Sequence, residues 1–137
     1  RADLLSQRAT YLQAFEEYAR WISPIGMSPR RIAKKFVWNG VELEPDTRLF
    51  FMFGSANRDE DVFDNANQFD IHRNTAKAVS FGAGPHFCAG AAASRSLIAD
   101  VALPQLFTTF PNLRLDGAVE FGGWAFRGPL SVPVRID

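Results

Sequence analysis

Helical spacing of apolar residues dominates the first part of the chain and predicts a helix over residues 1–22. Four apolar positions carry the pattern: Leu12, Phe15, Ala19 and Ile22. The Ser23-Pro24 step should end this helix, because the residue before a proline avoids the helical region.

The first residues already have helical character, although the chain opens Arg-Ala-Asp-Leu-Leu without a methionine or a signal-peptide pattern. Thr10 and Gln13 have the spacing of a capping box, so a fresh helix is expected to begin at Thr10. A chain that starts inside an element is expected to be a piece of a longer protein.

Short apolar runs separated by turn residues predict β-structure after the helix. Residues 31–38 and 41–43 flank Asn39-Gly40, which is the strongest short hairpin signal. The apolar run of residues 49–53 predicts a strand that is buried on both faces.

A long polar and irregular segment, residues 54–80, follows the strands and is of the kind that is often functional. Phe63, Phe69 and Ile71 are its expected anchors in the core. The next apolar stretch predicts a helix over residues 89–107, which Pro104 should kink or shorten.

Strand patterns return at the end of the chain. Residues 113–115 predict a short strand, residues 122–126 a glycine-aromatic turn, and residues 130–134 a last strand that Pro133 confines to a sheet edge. Two helices combined with several short strands indicate the α+β class.

Composition narrows the function classes. The chain has 137 residues, about one domain, and 47% of them are hydrophobic, which suffices for a buried core. The formal net charge is +0, so nucleic-acid binding through overall positive charge is disfavoured. No apolar run approaches the roughly 18 residues of a membrane span. One cysteine excludes an internal disulfide and favours a reducing, cytoplasmic location.

The glycine-rich residues 81–90 contain that cysteine. Gly82 and Gly84 let the backbone pass close to a flat ligand. Cys88 precedes a predicted helix, whose unpaired N–H groups and positive dipole end favour a thiolate over a thiol. Gly90 removes bulk beside the sulfur. A thiolate held in this way is a good axial ligand for heme iron.

Three other roles for Cys88 are weaker in this context. Most single cysteines are small buried hydrophobes. A zinc site would need more ligands than one Cys and two His residues without ligand-like spacing. A cysteine nucleophile would need a base, and His86 lies on the wrong side of a tight loop.

Residues 81–90 fit the pattern Phe-Gly-x-Gly-x-His-x-Cys-x-Gly at all of its fixed positions. This is the heme-binding signature of the cytochrome P-450 monooxygenases, which the sequence resembles. The matching residues are Phe81, Gly82, Gly84, His86, Cys88 and Gly90. The resemblance implies the C-terminal portion of the mainly helical cytochrome P-450 fold.

The same resemblance implies roles for individual residues. Cys88 would ligate the heme iron, while Phe81 would shield the sulfur and pack, with Gly82 and Gly90, in the heme-binding loop. Arg31 looks like the family's arginine that binds a heme propionate, and His86 like the second propionate contact. The alternatives are an ordinary strand arginine and a solvent-facing loop histidine.

Glu17 and Arg20 match the family's Glu-x-x-Arg pair, and their spacing places both side chains on one helix face. In the family this buried ion pair braces the loop beneath the heme; a solvated surface pair is the alternative. The family usually has an arginine directly before the Phe69-Asp70 step, but this chain has Gln68. A neutral amide cannot balance the charge of Glu17, so a weaker or rearranged triad is expected.

The resemblance covers nearly all of this chain but only about the last third of the family's chain. Residues 1–137 are therefore expected to be the C-terminal, heme-ligand part of a cytochrome P-450 domain, which would pack against the N-terminal part of the same protein. No catalytic residue is expected in this piece. The implied cofactor is heme b (iron protoporphyrin IX), with electrons from NAD(P)H through a ferredoxin or a flavin-containing reductase.

The implied activity is insertion of one oxygen atom from O2 into a small hydrophobic, aromatic substrate. The aromatic class comes from the Gly-Trp-Ala-Phe-Arg-Gly-Pro segment, which resembles oxygenases that demethylate small methoxylated aromatics. Ile25 and Phe126 would contact the substrate, with plain core packing as the alternative. Two other hypotheses stay open: an inactive fragment that folds without heme, and a peroxide-using heme protein that needs no redox partner.

Overall fold

The computed structural model describes residues 8–136, with side chains from Tyr11 onward. These residues form four α-helical segments and eight short strands. In chain order they are α1 (Arg8–Ile22), β1 (Ser28–Arg31), β2 (Phe36–Trp38), β3 (Val41–Leu43), β4 (Arg48–Phe51), α2 (Phe53–Ala56), α3 (Ala91–Arg95), α4 (Leu103–Thr109), β5 (Arg114–Leu115), β6 (Glu120–Gly122), β7 (Gly128–Ser131) and β8 (Val134–Arg135). A 3₁₀-helix (Gly84–His86) and a π-helix (Ser96–Ala102) complete the list.

The helix α1 ends where the Ser-Pro step predicts. Ser23 adopts a φ of 48°, and its N–H still donates to Ala19 O at 3.0 Å. The expectation that a fresh helix begins at Thr10 is wrong, because α1 already includes the two preceding residues, Arg8 and Ala9. The part of the prediction that covers residues 1–7 falls outside the described residues.

The strands pair as four two-stranded antiparallel sheets, β1 with β4, β2 with β3, β5 with β8 and β6 with β7. The hairpin at Asn39-Gly40 is confirmed: both residues have a positive φ, 46° and 77°, and Trp38 pairs with Val41. The strand predicted over residues 31–38 is interrupted, because β1 ends at Arg31 and β2 begins at Phe36.

The strand β4 is not buried on both faces as the apolar run predicts. Phe50 is 46% exposed and Phe51 is 49% exposed. Among the described strands β4 has β1 as its partner, so this small sheet leaves apolar surface open.

The irregular segment of residues 54–80 contains α2 at its start and otherwise turns. Phe63 is 4% exposed and is confirmed as an anchor, whereas Phe69 is 47% exposed. Phe69 instead meets Trp21 edge-to-face, with ring centroids 5.9 Å apart. Trp21 also donates from Nε1 to Asn67 O at 2.9 Å, so this segment is tied to α1.

One continuous helical stretch follows the cysteine and comprises α3, the π-helix and α4. Pro104 lies in the first turn of α4 and does not end the stretch. In an α-helix a proline ring clashes with the carbonyl four residues back, and here the preceding Ser96–Ala102 residues follow wider π-helical spacing. The stretch packs on α1 through Tyr11 and Phe107, whose rings stack with centroids 6.2 Å apart.

The C-terminal residues form two nested antiparallel strand pairs, β6 with β7 inside β5 with β8, rather than one last strand, and Val132 and Pro133 separate β7 from β8. Gly123 makes the predicted turn at φ 90°, and a Cβ there would lie 1.8 Å from Phe126 O. Only glycine fits that turn. Beyond it, Phe126 forms an isolated antiparallel bridge with Ile25.

Small apolar side chains and polar side chains share the interior. The largest fully buried side chains are Arg20, Glu17, Asn57 and Ser23. The buried apolar residues are Tyr11, Ala19, Ile22, Met27, Ile32, Phe63, Ala66, Ala91 and Ala99. Within residues 8–136, no helix has both the length and the apolar character that crossing a bilayer requires.

Candidate functional site

Glu17, Arg20, Asn57 and Arg73 form a polar cluster in which the first three residues are fully buried. Arg20 donates from Nε and Nη2 to the two carboxylate oxygens of Glu17, both at 2.7 Å. Both side chains are fully buried, so the pair is the buried one that the Glu-x-x-Arg match implies, not a solvated surface pair.

The rest of the Arg20 guanidinium holds the irregular segment. Nη1 donates to Asn57 O at 2.7 Å and to Ala66 O at 2.9 Å, and Nη2 donates to Gln68 O at 3.2 Å. An arginine has five N–H donors, and all five are engaged. One side chain of α1 therefore fixes the backbone of the segment at three separate points, which explains how so long a segment is ordered without strands.

Arg73 supplies the second cation that the sequence analysis expected to be missing. Its Nε donates to Glu17 Oε1 at 3.2 Å, and its side chain is only 9% exposed. Of the two expected outcomes, a weaker or a rearranged triad, the structure shows the rearranged one, because the arginine lies five residues after Gln68 rather than at that position. Gln68 is exposed, and it takes part through its backbone oxygen rather than its amide.

Glu17 is ionised in this setting. Burial alone raises the pKa of its carboxyl, but hydrogen bonds from Arg20 and from the Asp70 N–H at 2.9 Å, with Arg73 beside them, outweigh burial and hold the pKa below its ordinary value of 4.5. The cluster therefore contains a stable carboxylate.

The cysteine loop (residues 81–90) is closed on itself by backbone hydrogen bonds. Cys88 N donates to Phe81 O at 2.8 Å, and the 3₁₀-helix lies between them. Gly82 has a φ of 72°, and a Cβ there would approach His86 O at 3.2 Å. The loop thus needs glycine at position 82.

Gly90 lies beside the cysteine sulfur. A Cβ there would meet Cys88 Sγ at 3.8 Å, which is an ordinary contact, and its φ is −84°. Neither the sulfur nor the backbone excludes a side chain at this position within the described structure. Cys88 itself is an exposed free thiol, not a buried hydrophobe.

Phe81 is held from two sides. The Arg95 guanidinium carbon lies 4.6 Å from the centroid of the Phe81 ring, and the Phe15 ring lies 6.2 Å away. Arg95 is anchored by a salt bridge to Glu16. The first residue of the cysteine loop is therefore clamped between α1 and the helical stretch that follows the cysteine.

A cavity of about 530 Å³ opens beside the cysteine loop. Its walls are mainly apolar and come from α1, β1, α2, the cysteine loop and the helical stretch after it. The lining residues are Phe15, Tyr18, Ala19, Pro24, Ile25, Ser28, Arg30, Phe53, Ser80, Phe81, Gly82, His86, Cys88, Ser94 and Ile98. The cavity thus brings together Cys88, Phe81, Gly82, His86 and Ile25, five residues that the sequence singled out.

Arg31 does not line this cavity; its neighbour Arg30 does. Side chains alternate along a strand, and in β1 Arg30 is half-buried while Arg31 is exposed. Arg31 points to the outer side, where its Nη1 lies 3.3 Å from Asp46 Oδ1. The arginine that faces this cavity is thus Arg30 rather than the predicted Arg31, and alternation from the cavity-facing Ser28 is the signal that distinguishes them.

Phe126 reaches the neighbourhood of the cavity without lining it. It pairs with Ile25, and Gly26 N donates to Ala125 O at 2.9 Å. Phe126 is 77% exposed and Ile25 is 45% exposed, so neither is a core residue of the described structure.

The profile of the Cytochrome P450 family matches residues 5–110, which is most of the chain. The chain belongs to the cytochrome P-450 family. Among curated relatives, the chain is 32% identical to pulcherriminic acid synthase of Bacillus subtilis over 98% of its length, covering 36% of that protein. It is 36% identical to 6-deoxyerythronolide B hydroxylase of Saccharopolyspora erythraea, covering 90% of this chain and 31% of that protein.

Solved cytochrome P-450 structures have the same fold. The crystal structure of P450BioI in complex with hexadec-9Z-enoic acid ligated acyl carrier protein superposes with a TM-score of 0.90 and 30% identity, covering 99% of this chain and 36% of that chain. The chain therefore spans about a third of the length of the relatives that it matches, and its α+β character is that of a partial cytochrome P-450 fold.

The residues at the cavity fit the heme that this family implies. Cys88, the only cysteine of the chain, is an exposed thiol that opens onto an apolar cavity, and a cysteine thiolate is a good axial ligand for heme iron. Arg30 and His86 lie on the same cavity, and a guanidinium suits a carboxylate. The cavity thus offers one sulfur ligand, Cys88, and two polar side chains, Arg30 and His86. This set suits heme, which is flat and mostly apolar and carries acidic propionates.

Proposed function

We propose that this chain is the heme-ligand part of a monooxygenase, with Cys88 as the iron ligand. The observation that carries the proposal is the exposed Cys88 thiol on the wall of an apolar cavity, held by its N–H on Phe81 O at 2.8 Å. Bound heme would supply the chemistry of O2 activation and oxygen insertion, which thiolate ligation favours.

The chain's own residues would bind and orient that group. Cys88 would offer its sulfur as a thiolate. Arg30 would donate hydrogen bonds to a propionate, since its Nη1 is already aimed by bonds to Ser28 Oγ at 2.7 Å and Pro29 O at 2.8 Å. His86 would hold the other propionate from the 3₁₀-helix. Phe81, clamped by Arg95, would keep water from the sulfur.

The substrate is proposed to be a small hydrophobic organic molecule. Ile25 and Phe126 would contact it, because the bridge between them places two exposed apolar side chains at the edge of the cavity. An aromatic substrate is supported by the Gly-Trp-Ala-Phe-Arg-Gly-Pro segment alone. Electrons would come from NAD(P)H through a ferredoxin or a flavin-containing reductase, as in the family.

The remaining walls of the site would come from the N-terminal part of the same cytochrome P-450 domain. The support is the length of the matched relatives and the large apolar side chains that this chain leaves exposed, among them Trp124 at 75% and Leu130 at 74%. Cytoplasmic location is proposed on the single, unpaired cysteine.

Carbon monoxide difference spectroscopy of the purified protein tests the ligand. We expect a Soret band at the thiolate-ligated position, and we expect Cys88→Ala to abolish it. Cys88→His is the informative companion, because it can still ligate iron but cannot give the thiolate band. A thiolate band retained in Cys88→Ala would refute the assignment.

The same preparation separates the alternatives. An inactive, heme-free fragment would take up no heme in any variant. A peroxide-using protein would turn over substrate with hydrogen peroxide but not with a reduced ferredoxin. The proposal requires heme uptake by this chain and, in the full-length protein that supplies the remaining walls of the site, turnover that depends on the reductant.

A further inference from the structure

Asn57 is a fully buried amide at which three parts of the chain meet. Its Nδ2 donates to Ser23 Oγ at 2.9 Å, just after α1, and to Ser80 Oγ at 3.2 Å, just before the cysteine loop. Its Oδ1 accepts from Val79 N at 2.8 Å. Its backbone oxygen accepts from Arg20, so the residue is also a member of the polar cluster.

Two further hydrogen bonds lead from this residue to the cysteine. Gly82 N donates to Val79 O at 2.9 Å, which closes a turn over residues 79–82. Inside that turn, Phe81 O accepts from Cys88 N at 2.8 Å. The amide of Asn57 thus fixes Val79, the turn fixes Phe81, and Phe81 fixes the backbone at Cys88.

We propose that Asn57 is a positioning residue that sets the cysteine loop by holding the turn of residues 79–82 against the end of α1. A carboxamide suits this place, because it offers an acceptor to Val79 N and donors to two hydroxyls at once. Alanine offers neither function, and aspartate offers the acceptor alone. The role of the sulfur as an iron ligand rests on the proposed function, but the path to it involves no cofactor.

Amide hydrogen exchange of the purified, heme-free protein tests the path directly. We expect Asn57→Ala to accelerate exchange about tenfold at the amides of Val79 and Cys88, since each hydrogen bond that loses its support opens more readily. Asn112→Ala is the matched control, because Asn112 is an exposed residue outside the cluster and the loop. Acceleration at Val79 with no change at Cys88 would overturn the proposal.

Two serine variants keep the test decisive if Asn57→Ala does not fold. Ser80→Ala removes one of the two side-chain bonds of Asn57 to the loop side and leaves the bond from Val79 N in place, whereas Ser23→Ala removes its bond to the helix side. We expect Ser80→Ala to accelerate exchange at Cys88 more than Ser23→Ala does. Equal exchange at Cys88 in the two variants would contradict the role of Asn57 in positioning the cysteine loop.

The heme-loaded protein gives a separate spectroscopic readout. We expect Asn57→Ala to lower severalfold the fraction of the carbon monoxide complex that has the thiolate band, at unchanged heme content. Failure of the unmutated protein to show that band would defeat the proposed function and leave the exchange result standing. A normal band and normal exchange in Asn57→Ala would defeat the positioning role alone.

Discussion

The helix α1 separates two regions that handle polarity in opposite ways. One face carries Glu17 and Arg20 into the polar cluster, and the other carries Phe15 and Tyr18 to the cavity. Within the described residues the cluster leaves no buried side-chain nitrogen or oxygen without a hydrogen-bond partner, whereas Cys88 is exposed on the cavity side. Polar groups that are saturated within the chain hold the fold, and polar groups that remain accessible are the ones available to a ligand.

Removing the Arg20 guanidinium from the polar cluster should have the largest effect on stability. We expect Arg20→Leu to cost about 3–5 kcal/mol of the free energy of unfolding, because Glu17 is left as a buried carboxylate and three carbonyls lose their donor. Denaturant unfolding followed by circular dichroism measures it.

Arg48→Leu is the matched control for that substitution. Arg48 is an exposed arginine of β4, so the same change should alter the free energy of unfolding by less than about 0.5 kcal/mol. Similar losses in the two variants would mean that the cluster is no more important to stability than the surface.

Acid should weaken the polar cluster, because the cluster is built around the Glu17 carboxylate. The pKa of Glu17 is depressed in the folded chain, so its contribution to stability is complete above its ordinary value of 4.5 and is lost as the pH falls through the lower folded pKa. We expect the free energy of unfolding to drop over that range, with a shallower drop in Glu17→Gln. Parallel pH profiles would show that another group is responsible.

Two adjacent arginines, Arg30 and Arg31, test the accessible polar groups at the cavity. We expect Arg30→Gln to weaken heme affinity about tenfold or more, since a charge-assisted hydrogen bond is lost, while Arg31→Gln leaves it unchanged. Heme titration followed by absorbance measures both. The reverse order would restore the assignment made from the sequence.

The smallest effect is expected at Gln68. Because Arg20 and Arg73 use its backbone oxygen, Gln68→Ala keeps both acceptor sites and should change the free energy of unfolding by less than about 0.5 kcal/mol. A loss of more than about 1 kcal/mol would show that the amide side chain contributes after all.

Local signals predicted the parts of the fold that depend on neighbouring residues. The Ser-Pro helix end, the Asn-Gly hairpin and the Gly82 turn follow from backbone preferences of single residues. The Glu17–Arg20 pair follows from spacing on one helix. The burial expected for residues 49–53 failed because it depends on what covers β4, and the register of β1, which decides between Arg30 and Arg31, depends on the distant β4.

Arg73 and Asn57 could not be identified from their surroundings in the sequence. Arg73 reaches a glutamate 56 residues earlier, and Asn57 joins Ser23 to Ser80 across an irregular segment. Such contacts depend on how a segment without periodicity folds back, and no pattern of apolar positions encodes that path.

The π-helical stretch Ser96–Ala102 has a consequence for protein engineering. Its wider spacing rotates every side chain after residue 102 relative to the side chains before residue 96, compared with a straight α-helix. A helical-wheel projection counted forward from Ala91 would therefore assign Leu106 and Phe107 to the wrong faces. When helical segments are exchanged between homologues, the sequences should be aligned separately before and after this stretch. Otherwise apolar side chains of the exchanged helix will face solvent.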